Sequence, residues 1–176
     1  MNLASRIVVI GVGNEYRRDD GVGRTVVARL AERAVARPLP DGTTLRVCDG
    51  DPARLLTLWE AADLAVVVDA AHAHPGHPGR VHRLELGSER LSPSDGPTSS
   101  HGLGLGEAVE LARALDRLPG TLVVYAVEGA NTTMGTGLSA PVAAAVDPLV
   151  ARIADDLRAA TADTSTRAAA GPAATA

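Results

Sequence analysis

Lysine and phenylalanine are absent from this chain of 176 residues, and cysteine and tryptophan occur once each. Without lysine, arginine supplies every fixed positive side-chain charge, a bias of composition that points to no particular function. Without phenylalanine, the core must come from Val, Leu, Ile and Ala, which suits a parallel sheet covered by helices. A lone cysteine excludes an intramolecular disulfide and a CxxC site. Cys48 lies in the apolar stretch LRVC and reads as a buried structural thiol. No apolar run reaches membrane-spanning length. The opening MNLASRIVVIGVG is too short and too soon broken by glycine for a signal peptide. The expected location is therefore the cytoplasm, with no membrane partner. There is no basic stripe, and the formal net charge is −4, so nucleic acid is a poor partner.

What is present describes a packed globule. Apolar residues make up 45% of the chain, too many for a disordered polymer. The length suits one domain with a real core. Ile7 to Val12 is a β-branched run closed by Gly13 and Asn14, a buried first strand with a tight loop after it. Val22, Val26, Val27, Leu30, Ala31 and Ala34 share one face of a helix from about Gly21 to Val35. Pro38 and Pro40 end it. Thr44 to Cys48 reads as a second strand, and Pro52 opens a short helix to Glu60. Leu64 to Val68 reads as a third strand that Asp69 closes.

A Pro/Gly/His loop, residues 70–79, leads to a fourth strand from Arg80 to Leu86. That connection is short for a crossover helix, so the fourth strand should run antiparallel to the third. A helix from His101 to Leu118, a fifth strand from Thr121 to Val127 and a last helix from Ser139 to Leu157 complete the series. Residues 160–176, rich in Ala and Thr, read as a disordered tail behind a single domain of residues 1–159. The expected architecture is a three-layer α/β/α sandwich with a five-stranded, mainly parallel mixed sheet. Ligands of such sheets bind at the carboxyl ends of the strands.

Three side chains should meet at that edge. Asp19 and Asp20 follow the first strand; one, most simply Asp19, can cap the helix, and the second is then unexplained. Read alone, both are solvated cap residues. Asp69 follows AVVV directly, and a carboxylate at the rim of a buried strand is costly unless paired, hydrogen-bonded or bound to a cation. The alternative for Asp69 is a structural acceptor of loop N–H groups. Only Pro119 and Gly120 separate the helix that starts near His101 from the fifth strand, so helix and strand run oppositely and the helix begins at the same edge. The preceding fourteen residues, 87–100, span roughly 45 Å, enough to return the chain there. An imidazole at a helix N-terminus is kept neutral, as a metal needs. Asp20, Asp69 and His101 together would leave open positions on a divalent or transition metal.

Two other motifs are weaker. GVGN after a strand is half of a dinucleotide fingerprint, but Tyr16 stands where the third glycine belongs. The tract AHAHPGHPGRVH, with His72, His74, His77 and His82, looks metal-binding by composition, yet no acidic or Cys partner lies within it. No Ser or Cys with an obvious adjacent base appears.

The segments GVGNEYRRDDGVG (11–23), CDGDPARLL (48–56), VVVDAAH (66–72), SSHGLGLGEAV (99–109) and YAVEGANTTMGTGLSAPV (125–142), in this order and spacing, resemble the hydrogenase maturation protease family. The resemblance implies a phosphorylase/hydrolase-like fold and an endopeptidase. Such an enzyme removes the C-terminal extension of a [NiFe]-hydrogenase large-subunit precursor after nickel insertion. It also implies that Asp20, Asp69 and His101 contact metal, and that the nickel belongs to the substrate, with no tightly bound metal of the enzyme's own. Two loops depart from the family: Glu128-Gly129 replaces a common Glu-Pro, and Asp49-Gly50-Asp51-Pro52 replaces a common Asp-Gly-Gly-Thr. The alternatives from other classes are a self-metallated hydrolase and a nucleotide-binding module.

Overall fold

A computed structural model describes residues 5–87 and 103–169. Five strands form one sheet: β1 (Ile7–Val12), β2 (Thr43–Cys48), β3 (Leu64–Ala71), β4 (Val81–Gly87) and β5 (Thr121–Glu128). Their spatial order is β2-β1-β3-β5-β4. The first four in that order are mutually parallel, and β4 runs antiparallel to β5. The helices are α1 (Val22–Ala36), α2 (Pro52–Trp59), α3 (Leu103–Ala114) and α4 (Ala140–Ala169). Among the described residues, no helix is long and apolar enough to cross a membrane.

Strand alternation sorts the sheet's side chains into two cores. Val66, Val68 and Ala70 of β3 pack with Val26 and Leu30 of α1 and with Val146, Val150 and Ile153 of α4. Ala65 and Val67 face the other way, against Leu55 and Trp59 of α2 and Ala108 and Ala112 of α3. The result is the expected three-layer α/β/α sandwich. Central β3 is buried on both faces, which accounts for its nearly unbroken apolar run. At the edge, β4 mixes polar and apolar residues and is only partly covered.

Several expectations need correction. The fourth strand has the expected direction, and its neighbour is β5, which lies between it and β3. A half-exposed strand belongs at an edge, whereas β3 needs partners on both sides. Asp69 lies inside β3, because Ala70 and Ala71 go on pairing with Val127 and Glu128. The last helix does not end at Leu157 but continues to Ala169, through a stretch in which Ala160, Ala162, Ala168 and Ala169 favour helix. Asp51 caps α2 by accepting the Arg54 N–H at 2.8 Å, with Pro52 in the first turn as expected. Neither Asp19 nor Asp20 caps α1. A 3-10 turn, Arg18–Gly21, precedes that helix, and its N-cap Gly21 makes no side-chain cap bond.

Glycine lets α1 approach the sheet. A Cβ on Gly23 would stand 2.4 Å from the Val68 carbonyl oxygen and 2.5 Å from that of Val12. No side chain fits there, so the start of α1 is wedged between the carboxyl ends of β1 and β3. The Asp19-Asp20 turn is thereby held at the rim.

Candidate active site

Asp69 is 9% exposed and points from β3 toward the α2/α3 face, on the parity of Ala65 and Val67. Its Oδ1 accepts the Ala70 N–H at 2.8 Å. One short hydrogen bond does not offset burial. Desolvation pushes its pKa up to about 7, and the nearby Asp20 charge adds to the rise. Asp20 sits in the turn before α1, half-buried, and its Oδ2 accepts the Asn14 N–H at 2.9 Å. The structure thus brings two of the expected side chains within electrostatic reach of each other.

His101 lies outside the described residues. The described residues do fix the direction of its helix. α3 ends near the amino edge of the sheet, where Gly120 N–H bonds the Ala62 carbonyl and Thr121 pairs with Leu64. It therefore starts toward the carboxyl edge, on the face to which Asp69 points, and its first described residue is two positions from His101. Among the described residues, no group of three His, Cys, Asp or Glu side chains is arranged to hold a metal ion.

Asp19 has a role the sequence did not suggest. It is fully buried, and its carboxylate accepts N–H bonds from Ala130, Asn131 and Ser139, at 2.7–2.9 Å, and the Ser139 hydroxyl at 2.9 Å. Burial alone would raise its pKa, but the Ser139, Ala130 and Asn131 amides together outweigh it and bring it below the usual value. Asp19 therefore ties the β5–α4 loop to the turn that carries Asp20. Its partners lie more than 110 residues away in sequence, so no local motif announces them.

The His-rich loop also has an acidic partner. Glu128, at the carboxyl end of β5 and 2% exposed, bonds His82 Nε2 at 2.6 Å and accepts the His77 N–H at 2.5 Å. Its main chain bonds Gly79 and Arg80. These contacts pin the loop to the sheet. The His82 bond, then the His77 amide, lower the Glu128 pKa. Cys48 is a free, buried thiol whose pKa burial raises, an unfavourable state for a nucleophile.

The half-fingerprint loop after β1 is closed. Gly13 has φ +126°, and a Cβ there would meet the Asp20 carbonyl oxygen at 1.8 Å. The 3-10 turn fills the space against this backbone where a pyrophosphate would need to approach.

Solved structures with this fold include endopeptidases. The hydrogenase maturating endopeptidase HybD from Escherichia coli superposes with a TM-score of 0.68 at 26% identity, covering 88% of this chain and 93% of that one. The [NiFe] hydrogenase maturation protease HybD from Thermococcus kodakarensis gives a TM-score of 0.64 at 25% identity, covering 86% and 98%. A sequence relative, the hydrogenase 2 maturation protease of Escherichia coli (strain K12), is 27% identical over 161 residues, 87% of this chain and 91% of the relative. In class, then, the protein is a peptide hydrolase with a carboxylate-lined rim. The hydrogenase maturation protease (HycI) profile matches residues 25–156, and the chain belongs to that family. Asp69 and His101 fall within the matched span, and Asp20 lies just before it.

Proposed function

We propose that this enzyme removes the C-terminal extension of a [NiFe]-hydrogenase large-subunit precursor, in the cytoplasm, once the precursor holds nickel. Asp20, Asp69 and His101 are assigned to contact that nickel, which arrives with the substrate. The observation that carries the reading is Asp69: a buried carboxylate with one hydrogen bond, raised to about 7, beside a second carboxylate at the sheet's rim. Such a group is stabilised by an arriving cation, which supplies the opposite charge that the protein withholds.

Two uses of the nickel fit this arrangement. It can polarise the scissile carbonyl or activate water as a Lewis acid. It can also act only as a gauge of maturation that holds the tail in reach, and Asp69 then serves as general base instead of as a nickel contact. In the metal-free enzyme burial holds the Asp69 pKa at about 7, where a carboxylate not bound to a cation can both take and release a proton.

The test is mass spectrometry of a large-subunit precursor incubated with wild-type protein and with His101→Ala. Nickel-loaded precursor should lose its C-terminal segment only with the wild type. Nickel-free precursor should stay intact with both. Equal cleavage of loaded and nickel-free precursor would sink the role of nickel. Stoichiometric metal in the purified enzyme, with cleavage of unrelated peptides, would instead favour a self-metallated hydrolase.

A further inference from the structure

The geometry points to a docking surface for an acidic segment of the precursor, built from the paired loops 14–18 and 131–137. It deepens the proposed function and rests on it. The two loops are zipped by main-chain bonds. Arg18 N–H donates to the Gly135 carbonyl at 3.0 Å, Gly135 N–H to the Tyr16 carbonyl at 2.9 Å, and Asp19 N–H to the Asn131 carbonyl at 3.0 Å. Arg17 Nε–H donates to the Thr132 carbonyl at 3.3 Å. The Asp19 carboxylate locks the base of the pair. These bonds are made within the enzyme itself, so fewer remain to be ordered on binding.

Its chemistry is that of an interface. Tyr16 is 59% exposed and Met134 76% exposed, on adjoining loops, although the protein buries most of its large apolar side chains. Beside them the Arg18 side chain lies across Gly135, whose Cβ would stand 3.0–3.2 Å from guanidinium atoms. Arg18 Nε is buried and has no hydrogen-bond partner. Among the described residues, no ion pair engages Arg17 or Arg18, so neither charge is already taken by a carboxylate of this chain. Arg18 and Glu15 both line a cavity of about 210 Å³ that also includes Thr25, Thr136 and Leu138. Among the described lining residues Glu15 is the one carboxylate and Arg18 the one guanidinium, and Arg17 adjoins Arg18 in the loop outside the cavity. A buried guanidinium N–H without an acceptor is costly, and a partner's carboxylate relieves that cost. Tyr, Met and Arg are the residues enriched where proteins bind one another. The occupant assigned is therefore a precursor segment with a carboxylate side chain for Arg18 and Arg17 and an apolar side chain for Tyr16 and Met134. Asp20 belongs to the same turn, so a segment seated here leads directly to the rim.

Steady-state cleavage of a nickel-loaded large-subunit precursor tests the assignment. The double variant Tyr16→Ser/Met134→Ser changes only exposed side chains, and its thermal unfolding should match the wild type. Its KM should rise about tenfold with kcat unchanged. Arg17→Gln/Arg18→Gln should raise KM similarly and flatten its dependence on salt between 50 and 200 mM. KM within twofold of wild type in both variants overturns the docking surface, and a wild-type KM indifferent to salt overturns its acidic occupant. A wild-type enzyme that leaves loaded precursor uncut would instead count against the proposed function itself.

Discussion

Asp19 and Asp69 are buried carboxylates at the same rim of the same sheet, and their surroundings differ sharply. Asp19 accepts four hydrogen bonds, three of them from loop amides, and its pKa falls. Asp69 accepts one in the described structure, from the adjacent Ala70, and its pKa rises to about 7. The fold has used the first to fasten a loop and has left the second under-solvated, with a like charge nearby. Burial alone therefore does not mark a functional carboxylate. The useful distinction is between a buried charge whose acceptor capacity is filled and one whose capacity is open, which is the state that the proposed nickel contact requires.

The sharpest way to break this contrast is to neutralise each carboxylate in turn. Asp69→Asn should lower the cleavage rate of nickel-loaded precursor by about a thousandfold, the scale of a lost general base or metal contact. Its urea midpoint at pH 7 should be no lower than wild type, because the amide still accepts the Ala70 N–H and carries no charge to desolvate. Asp19→Ala should do the reverse in kind. Four donors lose their acceptor, and stability should fall by about 3 kcal/mol, read by urea unfolding. Cleavage should decline only as the 130–139 loop loosens. If the two variants exchanged these phenotypes, the distinction between filled and open carboxylates would be wrong.

Next in size is the pH response of the free enzyme. The folded pKa of Asp69, about 7, lies above its unfolded value of 3.8, so between these values the folded state holds more protons. Stability should therefore be highest, as far as this group is concerned, below its unfolded value, and should be lost as pH rises through about 7. Asp19 acts in the opposite sense. Its contribution is present above the unfolded pKa and is lost as pH falls through its lowered folded value. Urea midpoints across pH 4 to 8 should show the Asp69→Asn variant gaining on wild type as pH rises. A constant difference across that range would show that Asp69 carries no burial cost.

The same contrast explains what could be read from the sequence. Asp69 was legible because a carboxylate after four apolar residues is locally anomalous. Its placement inside β3 was not, since Ala70 and Ala71 carry no strand signal and owe their pairing to Val127 and Glu128. Asp20 was legible as the aspartate left over beside a presumed cap, although the cap itself is absent and Asp19 serves a loop from the far end of the chain. The neighbour of β4 was hidden for the same reason: direction follows from a short local connection, whereas adjacency depends on β5, some thirty-five residues later. The layers were readable because periodicity is local. The contacts that organise the rim join distant segments, and no local pattern encodes them.

Glu128 supplies the smallest and most discriminating case. It is the third buried acidic side chain among the described residues and also stands at the carboxyl edge, where Ala71 pairs with it. By position it could belong with Asp69. By environment it belongs with Asp19, since His82 and the His77 amide fill its acceptor sites and hold its pKa low. Glu128→Gln keeps one carbonyl oxygen as acceptor and removes the charge. It should cost about 1 kcal/mol at pH 7, read by urea unfolding, and leave kcat and KM within twofold of wild type. The difference should vanish as pH falls through the lowered folded pKa of Glu128, where the wild-type side chain is itself neutral. A thousandfold loss of cleavage with unchanged stability would instead move Glu128 into the class of Asp69. The His-rich loop would then lie against the substrate rather than only against the sheet.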